Sequence, residues 1–204
     1  MVRLPNKPLC LPIPPTKAKK VLSWQSAATC DHFVQFYRTD DYLIDCLAGF
    51  IAEGLWKNER AVVIATPSHR IALEDRLRVK GVDVLTSMVQ SQYLALDAHE
   101  MLSKFMVRGK PDHDAFMSIV GELVRKMTEG GQRLRAFGEM VALLWMDGHR
   151  AAAIELEGLW NELGRKHSFT LFCAYPAQGL TPSSDGLSLE HICDVHAGVI
   201  SLTA

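Results

Sequence analysis

Ala61-Val62-Val63-Ile64-Ala65 is an unbroken run of apolar residues. A short run of that kind, bounded by polar residues, reads as a strand covered on both faces, which is how strands of a parallel sheet look. The run does not stand alone. His32 to Tyr37 is a β-prone stretch ended by Arg38-Thr39-Asp40-Asp41, and Tyr93 to Asp97 and Phe169 to Tyr175 are two more, with a further strand inside Arg133 to Val141. Helical spacing fills the intervals. Leu43, Leu47, Phe50, Ile51 and Leu55 recur on one face of a helix that Thr39 or Asp40 caps and that Gly54 and Lys57-Asn58-Glu59 close. A second helix runs from a Ser68 cap through Lys80 to Gly81. Others are expected at about 98–107 and 112–128, parted by Gly109 and Pro111, at 148–167, and at about 187–199 after a loop holding Pro176, Gly179, Pro182 and Gly186. Strands alternating with helices predict an α/β fold, a mostly parallel sheet covered by helices on both faces.

The chain has 204 residues, 48% hydrophobic and 22% charged. These values suit one globular domain and exclude global disorder. Five of the nine prolines precede residue 16, and Lys17, Lys19 and Lys20 follow them. Residues 1–28 therefore read as an extended leader, with a single domain over 29–204. The prolines also break any signal-peptide core, and no apolar run reaches membrane-spanning length. A net charge of −1 gives no electrostatic reason to expect a nucleic acid. The five cysteines are odd in number and include no CxxC pair, which favours reduced thiols and a cytoplasmic setting.

Several chemistries lack their signatures. Gly109-Lys110 is followed by Pro111, and Lys104 stands where a phosphate loop needs its first glycine. GxGxxG and GxSxG are missing, and His99-Glu100 meets Ser103 where a zinc protease needs its second histidine. Cys193 and His196 are three apart on an expected helix, but one pair does not make a four-ligand site. No metal and no cofactor are expected.

Binding in open parallel sheets concentrates at the C-terminal ends of the strands. Glu139 follows an apolar strand, and Arg135, four residues earlier, shares its face. The pair is either an internal ion pair or the polar centre of a ligand site, with His32, Tyr37 and Asp41 on the first strand and loop and Tyr175 on the last strand around it. Asp40 reads as a helix cap, His69 as a solvated histidine, and Cys173 as a buried small hydrophobe. Trp145, Trp160, Phe172 and Tyr175 read as core, with an aromatic-lined cavity as the alternative.

The order of these segments resembles a known family. His32-Phe33-Val34-Gln35-Phe36-Tyr37 with Asp40-Asp41, Ile64 to Arg70, Leu96-Asp97-Ala98, Phe105 to Asp112, Arg135 to Trp145, Leu156 to Leu163, Phe169 to Pro176 and Ile192 to His196 are similar to the MEDS sensory domains over about 31–200. The resemblance implies a RecA/KaiC-like fold without its ATP-binding loop and a role in sensing small, hydrocarbon-like ligands. Members usually precede kinase or DNA-binding segments, and none is visible here. A stand-alone, non-enzymatic sensor is expected, acting through a partner such as a histidine kinase or transcription regulator; homo-oligomer formation stays open. The alternatives are a residual nucleotide-binding enzyme with Glu139 as base, and a ligand-free protein-interaction domain.

Overall fold

A computed structural model describes residues 21–22, 31–179 and 189–200. In chain order these form β1 (Val21–Leu22), β2 (His32–Tyr37), α1 (Asp40–Trp56), β3 (Arg60–Ala65), α2 (Pro67–Val79), α3 (Val84–Val89), β4 (Tyr93–Asp97) and α4 (Ala98–Ser103). A small hairpin, β5 (Met106–Val107) and β6 (Lys110–Pro111), precedes α5 (His113–Phe116), which runs through a π-helical turn (Met117–Gly121) into α6 (Glu122–Thr128). Then come β7 (Leu134–Gly138), α7 (Met140–Met146), α8 (Arg150–Lys166), β8 (Phe169–Pro176), α9 (Leu189–Val195) and β9 (Gly198–Ile200).

Seven strands pair in the order β1-β9-β2-β8-β7-β3-β4, and every pairing in this sheet is parallel. Strand residues alternate between two cores, as the period of two requires. Phe33, Tyr37, Val63, Phe137 and Phe172 pack under α1 and α2. Val34, Phe36, Ile64, Ala136, Leu171, Cys173 and Tyr175 pack under α4 to α8. The expected α/β fold with helices on both faces is what forms. Among the described residues no helix is long and apolar enough to cross a membrane.

Some local expectations need correction. Thr39, not Asp40, caps α1, its hydroxyl accepting from the Tyr42 N–H at 3.3 Å. Thr66 precedes α2 and Pro67 opens it, in place of a Ser68 cap; proline pre-sets the first helical turn and gives up an N–H that has no partner there anyway. The helix expected at 98–107 stops at Ser103, and Gly109, at φ +79°, turns the hairpin. The last helix yields to β9, whose Val199 pairs with Val34 and with Val21. Val21–Leu22 therefore lies at the sheet edge, within the stretch read as a leader; the rest of that leader lies outside the described residues.

Candidate functional site

Five residues were expected to gather around Glu139, and they separate into different places. Arg135 lies on β7, whereas Glu139 stands past its end in helical backbone, and four residues of extended chain span about 13 Å, far beyond ion-pair range. Arg135 sits near the N-terminal end of β7. Its Nε lies 2.6 Å from Glu59 Oε2 and its Nη1 donates to the Phe50 carbonyl at 2.8 Å, with the guanidinium 5.0 Å above the Phe50 ring. This cluster holds α1 to the sheet and is remote from the strand C-termini. Asp41 is exposed on the first turn of α1.

Glu139 stands just past β7, where its buried carboxylate accepts the Thr66 N–H at 2.7 Å. His69 Nδ1 lies 2.8 Å from Glu139 Oε1, and His69 Nε2 lies 3.5 Å from Asp40 Oδ1. His69, expected in solvent, is buried. The Glu139 carboxylate beside it raises the imidazole pKa against the opposing effect of burial. Tyr37 belongs to the same neighbourhood: burial, then the charges of Glu139 and Asp40, raise its phenol. An acidic–imidazole–acidic array thus lies at the C-terminal edge of β2, β3 and β7.

His32 and Tyr175 meet elsewhere, beneath α8. The stripe Ala153, Leu156, Trp160 and Leu163 faces the sheet, and Glu157 interrupts it. A carboxylate with no solvent exposure must find partners. Tyr175 Oη donates to Glu157 Oε1 at 2.7 Å. His196 Nε2 lies 3.4 Å from the same oxygen, and His32 Nε2 lies 3.2 Å from Oε2. Cys173 Sγ completes the group, 3.3 Å from His32 Nε2 and 3.7 Å from Glu157 Oε2. Burial alone would raise the Glu157 carboxyl, but His196 and His32 outweigh it and hold it well below the usual carboxylate range. Burial, with the Glu157 charge adding to it, raises the Cys173 thiol and the Tyr175 phenol.

Both imidazoles are oriented from behind. Asn161 Nδ2 donates to the Val195 carbonyl at 2.7 Å, which fixes the amide so that its Oδ1 faces His32 Nδ1 at 2.9 Å. His196 Nδ1 meets the Ile192 carbonyl at 2.6 Å. A carbonyl only accepts, so each Nδ1 carries a proton, and in its neutral form each ring would turn the lone pair of Nε2 toward Glu157.

A pocket of about 450 Å³ borders this group, lined by His32, Asn161 and His196 together with Phe169, Leu171 and the Val195–Ala197 turn. Phe169 and His32 begin their strands, so the pocket sits at the N-terminal side of the sheet, opposite the edge expected to bind. Sequence reasoning missed Glu157 and Asn161, and weighed His196 only as a zinc ligand beside Cys193. The signal available was a glutamate and an asparagine four apart within the apolar stripe of α8.

A solved KaiC-like protein from the hyperthermophilic archaeon Pyrococcus horikoshii is similar in fold, with a TM-score of 0.56 at 17% identity over 84% of this chain and 71% of that one. No curated protein matches the chain. The family model for the methanogen/methylotroph, DcmR sensory domain, MEDS, matches residues 31–197. With most of its length so matched, on a sheet of the KaiC-like kind, this chain belongs to the MEDS family of sensory domains.

Proposed function

We propose that this MEDS domain senses a small organic molecule, without chemical turnover, in the pocket beside His32, Asn161 and His196. One observation carries the reading: a pocket of about 450 Å³, a volume suited to a small ligand, borders a buried group of oriented polar side chains. Apolar walls from Phe169 and Leu171 would take a hydrocarbon portion, and the Asn161 amide its polar end. The pocket also touches the segment that leads into β9, since the Ala197 N–H donates to the His32 carbonyl at 2.7 Å. A ligand there would bias how α9 and β9 pack on the sheet, and a partner kinase or transcription regulator would read that change.

A second reading is supported by the Asp40–His69–Glu139 array at the opposite edge, where nucleotide-binding relatives of this architecture hold phosphate. There Glu139 would act as base in a residual nucleotide-binding enzyme. Two carboxylates at that edge oppose an anion, which favours the sensory reading. Calorimetric titration with ATP and magnesium separates the two: no heat and no hydrolysis are expected, whereas micromolar binding with turnover would overturn the sensory reading.

A further inference from the structure

The group beneath α8 has the donors, the spacing and the supporting contacts of a metal centre. We propose that His32 Nε2, Glu157, Cys173 Sγ and His196 Nε2 bind one divalent transition-metal ion of the zinc class. The four ligand atoms lie within 4.8 Å of one another. Bonds of about 2.0–2.3 Å from a tetrahedral zinc ion place neighbouring donors about 3.3–3.8 Å apart. His32 Nε2, Cys173 Sγ and Glu157 Oε2 already stand 3.2, 3.3 and 3.7 Å apart, near three such edges, and His196 Nε2 lies 3.4 Å from the other carboxylate oxygen.

Electron pairs argue for the same conclusion. The Asn161 amide and the Ile192 carbonyl hold both imidazoles with Nδ1 protonated, so that Nε2 is the nitrogen left to bind a metal in the neutral rings. Two nitrogen lone pairs and a carboxylate then converge where Glu157 is wholly buried, with the Tyr175 hydroxyl and the Cys173 thiol as hydrogen-bond donors to that carboxylate among the described residues. A divalent ion resolves this. Together with one carboxylate, one thiolate and two neutral imidazoles it sums to zero charge, as a fully buried site requires. Binding replaces the thiol proton, which leaves to solvent. Asn161, the Ile192 carbonyl and the Tyr175 hydroxyl become the outer contacts that orient the two imidazoles and the carboxylate.

The donor set favours zinc-class ions over magnesium or calcium, which prefer oxygen alone. No spacing motif could announce it, because the ligands come from β2, α8, β8 and the turn before β9. An ion here would join those four elements. The inference goes beyond the sensory reading and does not depend on it, since metal is read by its own spectrum whatever the pocket takes up.

The test uses the full chain, untagged and stripped of metal with a chelator, then titrated with Co²⁺ and back-titrated with Zn²⁺. The expected result is one Co²⁺ per chain with tetrahedral d–d bands and a thiolate-to-cobalt charge-transfer band, both abolished by one equivalent of Zn²⁺. Cys46→Ser should keep the spectrum. Cys173→Ser should lose the charge-transfer band, and Asn161→Ala, which touches no ligand atom of the ion, should weaken binding about 10–100-fold. Should Cys173→Ser fail to fold, the wild-type spectrum and the Asn161→Ala affinity still decide. A folded wild type that gives no thiolate-to-cobalt band, or a Cys173→Ser variant with the wild-type spectrum, would overturn the proposal.

Discussion

The Asn161 side chain joins His32 at the start of β2 to the Val195 carbonyl at the end of α9, through contacts of 2.9 and 2.7 Å. One amide therefore sets the tautomer of a histidine and holds the segment that leads into β9. Replacing it with leucine removes both contacts and leaves the polar groups they served half-buried. Asn161→Leu should cost about 1–3 kcal/mol. Amide hydrogen exchange should quicken over residues 195–200 while α1 and α2 are unaffected; protection unchanged at 195–200 would show that Asn161 does not hold this segment.

Arg135 is scaffolding in this structure. Its partner Glu59 is as buried as it is, with side-chain exposures of 10% for Glu59 and 11% for Arg135. Arg135→Ala would leave that carboxylate with only the exposed Arg133, 4.0 Å away among the described residues, and should cost about 3 kcal/mol in urea unfolding. Adding Glu59→Gln should recover part of the loss. A variant as stable as the wild type would contradict the assignment.

Gly54 lies against the same arginine. A Cβ there would come 2.6 Å from Arg135 Cδ and 2.8 Å from its Nε, and the guanidinium is held in place by Glu59 and the Phe50 carbonyl. Gly54→Ala should therefore lose about 1–3 kcal/mol through overpacking, although alanine is the better helix former. A gain in thermal stability would show that Arg135 moves aside freely.

His69 should make stability depend on pH. Its folded pKa is raised above 6.5 by Glu139, with Asp40 adding to the effect. A raised histidine contributes stability that is fully present below the unfolded pKa and is lost as pH rises through the folded value. The stability difference between wild type and His69→Gln should thus be larger at pH 5.5 than at pH 8.5. A difference that grows with pH would reverse the sign and remove the ion-pair account.

Much of the fold was legible because parallel strands bury both faces. β2 and β4 fall where the apolar runs place them, and β3 begins one residue early. Short elements carried too little pattern. Val84–Val89 completes fewer than two helical turns, and the β5–β6 hairpin hides in a stretch that also suits a helix. The Arg135–Glu139 pairing failed for a different reason: period two fixes the face of a side chain but not its distance along the strand. The donors under α8 were out of reach of spacing rules because His32, Glu157, Cys173 and His196 meet only through tertiary packing. Glu157 alone could have been flagged, as a carboxylate on the stripe that buries Leu156 and Trp160.

The central claim is that this MEDS domain takes its ligand at the pocket by His32, Asn161 and His196. Backbone amide NMR of the full chain, titrated with small alcohols, methylated amines and short-chain organohalides, tests it most directly. The account predicts saturable shifts for at least one of these probes, centred on residues 31–33, 160–165 and 194–198. Shifts centred instead on Thr66, His69 and Glu139, or none with any probe, would contradict it.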